Sequence, residues 1–202
     1  MTPRKYDLGK RAAAIEYTKR RIIAATFALH NEQGVAATTL PEVARRADVA
    51  LGTVHKHFPT VDDLISACGG HVVAILRPPG PDIFAGLDDT EARARALVRE
   101  LFAMYERGHL QIAVARCEQD KVPALKQFVD AQARGHDAIV REGLRPARPD
   151  ADTVRSTLAL TDFYTWKAFA DKGVSTRHAA EIISVFVLAR IESAAARKGT
   201  RR

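Results

Sequence analysis

The chain has 202 residues, 47% hydrophobic and 27% charged, a composition that builds a core without disulfides or metals and excludes a disordered or membrane-embedded chain. No apolar run approaches the roughly 18–20 residues needed to cross a bilayer, and the opening MTPRKYDLGKR lacks the apolar stretch of a signal peptide, so a cytoplasmic location is expected. A formal charge of +7 and a pI near 9.7 point to a polyanionic partner, although charge alone does not separate nucleic acid from an anionic membrane or from simple solubility.

In chain order, residues 1–14 read as a basic arm. Arg4, Lys5, Lys10 and Arg11, followed by Lys19, Arg20 and Arg21, face only Asp7 and Glu16, a bias that suits phosphates and equally suits a solvated tail. A helix is predicted over Ile15–Gln33, where Ile15, Ile22, Ala25 and Leu29 form one apolar stripe and Gly34 ends it. Thr39 is the N-cap of a short helix carrying Leu40, Val43, Ala44 and Ala47, with Pro41 and Glu42 in its first turn. Asp48-Val49-Ala50 is a turn, Leu51–His57 a third helix, and Phe58-Pro59 its end. Thr60 caps a fourth helix, with Asp62 and Asp63 in its first turn, running to Leu76.

Pro78-Pro79-Gly80-Pro81 forbids continuous helix and separates residues 15–76 from residues 82–202. Five further helices are predicted near Thr90–Arg107, Leu110–Glu118, Pro123–Glu142, Asp152–Lys172 and Ser175–Lys198. No stretch alternates as a strand would, so the fold class is all-α with about nine helices.

Two short helices joined by a tight turn, with alanines where they approach, form a helix-turn-helix whose second member can enter a major groove roughly 12 Å wide. Gly34, Thr38-Thr39-Leu40, Val43-Ala44, Ala47, Val49, Gly52-Thr53-Val54, His57-Phe58-Pro59 and Leu64 resemble, in order and spacing, the N-terminal domain of TetR-family regulators. The resemblance spans about Ile15 to Ile65. It implies DNA contacts from Thr38, Thr39, Ala50, Leu51, Gly52, Thr53, His55, Lys56 and His57, with Arg20 and Arg21 along the phosphates. Thr39 is also an ordinary N-cap, and Val43, Ala44, Ala47, Val54 and Phe58 read as domain core. Several positions depart from the family's pattern. His55 stands where a tyrosine is usual, Val61 where a lysine is usual, Asp48 replaces a glycine, Ala50 a serine and His30 a phenylalanine.

The last two predicted helices are apolar on more than one side, which fits either an internal core or, as the resemblance implies, a dimer-forming four-helix bundle. The resemblance also implies an effector pocket, for which Phe102, Tyr105, Phe128, His136, Phe163 and Trp166 are the candidates; aromatics at helical spacing are more often plain core than ligand wall. The mixture suits a largely apolar small molecule. There is no P-loop, no G-x-S-x-G and no H-E-x-x-H, and Cys68 with His71 is one pair without further ligands, so no enzyme, no cofactor and no metal site is expected. Cys68 and Cys117 stand far apart outside any C-x-x-C pattern and read as free thiols. The resulting expectation is a homodimeric repressor of double-stranded operator DNA, released by its effector. The alternative is a helical ligand- or protein-binding dimer that has lost specific DNA readout.

Overall fold

The computed structural model describes residues 8–199; Arg4, Lys5 and Asp7 of the predicted arm lie outside them. Among the described residues there are nine α-helices and no strand. They are α1 (Leu8–Gln33), α2 (Leu40–Arg46), α3 (Leu51–His57), α4 (Val61–Leu76), α5 (Thr90–Glu118), α6 (Pro123–Leu144), α7 (Ala151–Leu160), α8 (Phe163–Ala170) and α9 (Thr176–Gly199).

Two differences from the expected elements have local causes. The helices predicted at Thr90–Arg107 and Leu110–Glu118 are one helix, kinked at Gly108 (φ −132°, ψ 30°). A Cβ at Gly108 would run into the Leu76 side chain, and the adjacent Arg107 guanidinium donates to the Leu76 carbonyl at 2.9–3.0 Å. Glycine therefore permits a close approach here instead of ending the helix. The element expected over Asp152–Lys172 is broken after Leu160. Asp162 caps α8 by accepting from the Tyr164 amide at 2.9 Å, so the carboxylate draws the chain into a new helix start. Helix α1 begins at Leu8, and part of the predicted arm is helical.

The chain packs as two units. Among the described residues, one comprises those up to Ala74 together with Ala113–Val129; the other comprises Ile75–Ile112 and those from Asp130 onward. In the first, Ile22, Ala25 and Leu29 of α1, Val43 and Ala44 of α2, Ala47, Val54 of α3, Phe58 and Leu64 of α4 form one buried cluster. Each Ile, Leu, Val or Phe buried in this way contributes roughly 1.5–3 kcal/mol relative to exposure. A second cluster in the same unit joins Val35 and Ile65 to Ala115 and Leu125. In the second unit, Arg93 is 5% exposed and is satisfied by the carbonyls of Leu87, Glu142 and Gly143, by the Glu142 carboxylate at 2.8 Å and by the Phe84 ring at 4.4 Å.

Candidate nucleic-acid interface

Val54 and Phe58 hold α3 to the core, being 0% and 5% exposed, and the opposite face is left outward because a seven-residue helix has one apolar stripe to bury. Leu51, Gly52, His55 and Lys56 are exposed, and Thr53 and His57 are half-buried. Ala50, the exposed residue before the helix, has extended backbone (φ −66°, ψ 146°). A Cβ at Gly52 would meet nothing within 4 Å. The chain's own packing places no demand for glycine there, whereas close approach of another backbone would.

The turn between α2 and α3 is tightly held. Asp48 adopts a left-handed conformation (φ 51°), a region that aspartate visits more readily than most residues. The Val49 amide donates to the Ala44 carbonyl at 3.0 Å. Arg21, expected along the phosphates, has its Nη2 2.6 Å from the Ala47 carbonyl, 3.0 Å from the Asp48 carbonyl and 3.1 Å from the Asp48 carboxylate. Its guanidinium ties α1 to the turn. Arg20 is exposed.

Two threonines singled out by sequence make internal bonds. The Thr38 hydroxyl donates to the Gly34 carbonyl at 2.7 Å. The Thr39 hydroxyl and amide both donate to Glu42, at 2.8 and 3.0 Å; these bonds, led by the hydroxyl's, hold the Glu42 carboxyl below its ordinary value. At the head of α4, Val61 is 49% exposed, and Thr60 and Asp63 cap one another reciprocally at 2.7–3.1 Å.

Sequence reasoning missed Glu118. Its Oε2 accepts from the amides of Val35 and Ala36, each at 2.8 Å, in the loop that leads into the helix-turn-helix. No local pattern announces a bond across 83 residues. Nearby, His30 lies 3.7 Å from the Cys68 sulfur. Burial pulls its imidazole down to about 4 against the opposing pull of Glu118, and burial likewise pushes the Cys68 thiol up to about 11. Between pH about 6.5 and about 4 the unfolded chain takes up a proton that folded His30 refuses, so stability falls as pH falls through that window. His30→Phe removes this loss. The gap between variant and parent unfolding midpoints should widen from pH 7 to pH 5, measured by urea denaturation; a constant gap would show that His30 titrates normally.

Of the six pocket candidates, Phe102, Tyr105, Phe163 and Trp166 come together. Tyr105 stands 5.7 Å from Phe163, 6.2 Å from Phe102 and 6.3 Å from Trp166 between ring centroids, and all four are at most 5% exposed. The Tyr105 hydroxyl donates to the Thr161 carbonyl at 3.0 Å. Thr161 gives its hydroxyl proton to the Thr157 carbonyl, so His136 Nε2, 2.8 Å away, must be the donor to Thr161 Oγ1. Glu106 and Thr176, unnoticed in the sequence, extend this polar edge: Trp166 Nε1 donates to the Thr176 hydroxyl at 3.1 Å, which donates to Glu106 at 2.7 Å. Phe128 is elsewhere, half-buried against the Val35–Leu125 cluster of the first unit. Among the described residues no group of three or more His, Cys, Asp or Glu is placed to hold a metal, and no helix is long and apolar enough to cross a membrane.

A short outward-facing helix, set by a rigid turn on a three-helix core within an all-α chain, defines a helix-turn-helix regulator. The chain belongs to the TetR family. The model for bacterial regulatory proteins of the tetR family matches residues 22–68. The HTH-type transcriptional repressor KstR of Rhodococcus jostii is 31% identical over 149 residues, 69% of this chain and 70% of that protein. The fold agrees with that of a TetR-family member from Streptomyces coelicolor (TM-score 0.62, 24% identity, covering 83% of this chain and 96% of that one). It agrees also with the multidrug binding protein EbrR complexed with proflavin (TM-score 0.56, 22% identity, covering 86% and 99%). The protein is a TetR-family transcriptional regulator.

Proposed function

We propose that the protein is a homodimeric repressor that inserts α3 into the major groove of an operator and is released by a small, largely apolar effector held in its second unit. The observation that carries this reading is the outward face of α3, with Leu51, Gly52, His55 and Lys56 exposed on a helix anchored by Val54. Base contacts fall to Thr53, Lys56 and Leu51, whose side chain suits a thymine methyl. Phosphate contacts fall to His55, His57, Arg20 and the backbone at Ala50 and Gly52, and to Thr38 and Thr39 where their hydroxyls exchange the internal acceptors, the Gly34 carbonyl and Glu42, for a phosphate. The internal bonds of Arg21 argue for a positioning role in the turn. KstR is named a repressor, and EbrR holds proflavin, an aromatic ligand, which supports both halves of the proposal.

Dimerisation is assigned to the last two predicted helices, Asp152–Lys172 and Ser175–Lys198, which are α7 with α8, and α9. Tyr164, Val185 and Phe186 are 56–57% exposed, and a second copy of the same helices would bury them in a two-fold bundle. An effector that prefers the state unable to bind DNA weakens operator binding by the factor by which operator weakens effector binding.

Titrating promoter fragments against random DNA at several salt concentrations tests the reading. Lys56→Ala should cost about 1–3 kcal/mol of specific binding and relax preference at one base pair. Arg20→Ala should weaken binding to all sequences and lower the salt slope by about one. Equal affinity for promoter and random DNA would overturn specific readout. Loss of even non-specific binding at low salt would instead favour a dimer that no longer reads DNA.

A further inference from the structure

We propose that the groove between α7 and the end of α9 is a second ligand site, which binds an aliphatic carboxylate. Two cavities, of about 700 and 270 Å³, meet there and share Ala194 in their walls. The larger is lined by three guanidinium groups, Arg155, Arg190 and Arg197, against two carboxylates, Asp150 and Asp152. The smaller is walled mostly by apolar groups, Ala147, Pro149, Ile191 and Ala195, with Thr153 and Arg148.

Two polar groups in these walls lack what burial normally demands. Arg190 Nη1 is buried with no hydrogen-bond partner; Nε is 3.4 Å from the Ser156 hydroxyl and Nη2 is 3.7 Å from Asp150, both at or past the useful limit. A guanidinium has five donors, and this one, with its side chain only 20% exposed, uses almost none. The Thr153 hydroxyl oxygen is likewise buried without a partner, in a residue 1% exposed. Neither carboxylate present fills the fork: Asp150 reaches Arg190 only at long ion-pair range. Asp152 pairs with Arg155, and Asp150 accepts from the Thr153 amide at 2.7 Å as the cap of α7.

A carboxylate has the planar pair of acceptors that an arginine fork is shaped to receive. The adjoining cavity asks for a short apolar tail, with Thr153 available to donate at the junction. A bare anion leaves that cavity unfilled, and an alcohol leaves Arg190 unpaired. The site is built from other residues than the Tyr105–Trp166 cluster and stands whether or not that cluster takes an effector.

Hexanoate, hexan-1-ol and inorganic phosphate, titrated into the full chain at constant ionic strength, test the proposal by calorimetry and thermal shift. Hexanoate should bind saturably and raise the melting temperature, while the other two should not. Arg190→Met, which keeps the volume and removes the fork, should weaken hexanoate by about ten-fold or more (1.4 kcal/mol per ten-fold), and Ala195→Trp should block it by filling the smaller cavity. Trp166, the single tryptophan, lies in the aromatic cluster and its emission should stay constant. Hexanoate affinity unchanged in Arg190→Met, phosphate binding equal to hexanoate, or Trp166 emission that tracks the titration would each overturn the assignment.

Discussion

Phe163→Ala is expected to lower stability by about 3–5 kcal/mol, the usual cost of emptying a filled aromatic site. Phe163 is 0% exposed, with the rings of Tyr164, Tyr105 and Trp166 at 5.4–5.7 Å in edge-on or tilted contact. The loss combines the transfer of a benzyl group with dispersion contacts that its neighbours cannot replace without moving. Urea unfolding followed by Trp166 fluorescence measures it. The size of the loss also reports how closely the cluster is packed, since neighbours that relax around the gap recover part of the cost.

The second large effect falls on the loop before α2. Gly34 has a φ of +89°, and a Cβ there would collide with the Glu118 carboxylate. Gly34→Ala should therefore cost about 2 kcal/mol or more, from left-handed strain of roughly 1–2 kcal/mol and the displaced carboxylate. Glu118→Ala should cost about 1–3 kcal/mol, because the buried Val35 loses the acceptor of its amide. In the double variant the collision is gone, and the strain and the unpaired Val35 amide each count once, so the two single losses should sum to more than the double variant's loss. Additive costs would show that Gly34 and Glu118 do not communicate. Operator affinity should fall with both single changes, since the loop delivers Thr38 and Thr39 to the head of α2.

The all-α class, the helix-turn-helix and its inward face were legible in the sequence because each depends on neighbours three or four residues apart. Val43, Val54 and Phe58 repeat at helical spacing, Thr39 and Thr60 sit where free amides need acceptors, and Asp48 stands where the turn requires a left-handed residue. The Asp162 cap was not read, because one acidic side chain inside a continuing apolar face marks a helix start only once it is seen accepting the Tyr164 amide. Gly108 was read as a stop, since a glycine that ends a helix and one that admits Leu76 look alike until the partner is known.

What the chain determined by itself is therefore its local order: where most helices start, which stripe most of them bury, and which short helix is left to face outward. Only the tertiary structure decided that Ala113–Val129 packs with the helix-turn-helix unit, that Phe128 leaves the other aromatics, that Arg21 ties down the turn, that Glu118 holds the Val35 loop, and that Arg190 and Thr153 are buried without partners. These are pairings between residues tens of positions apart. A side chain's charge or ring states what it can bind, and the packed fold alone selects which of its many possible partners comes within reach.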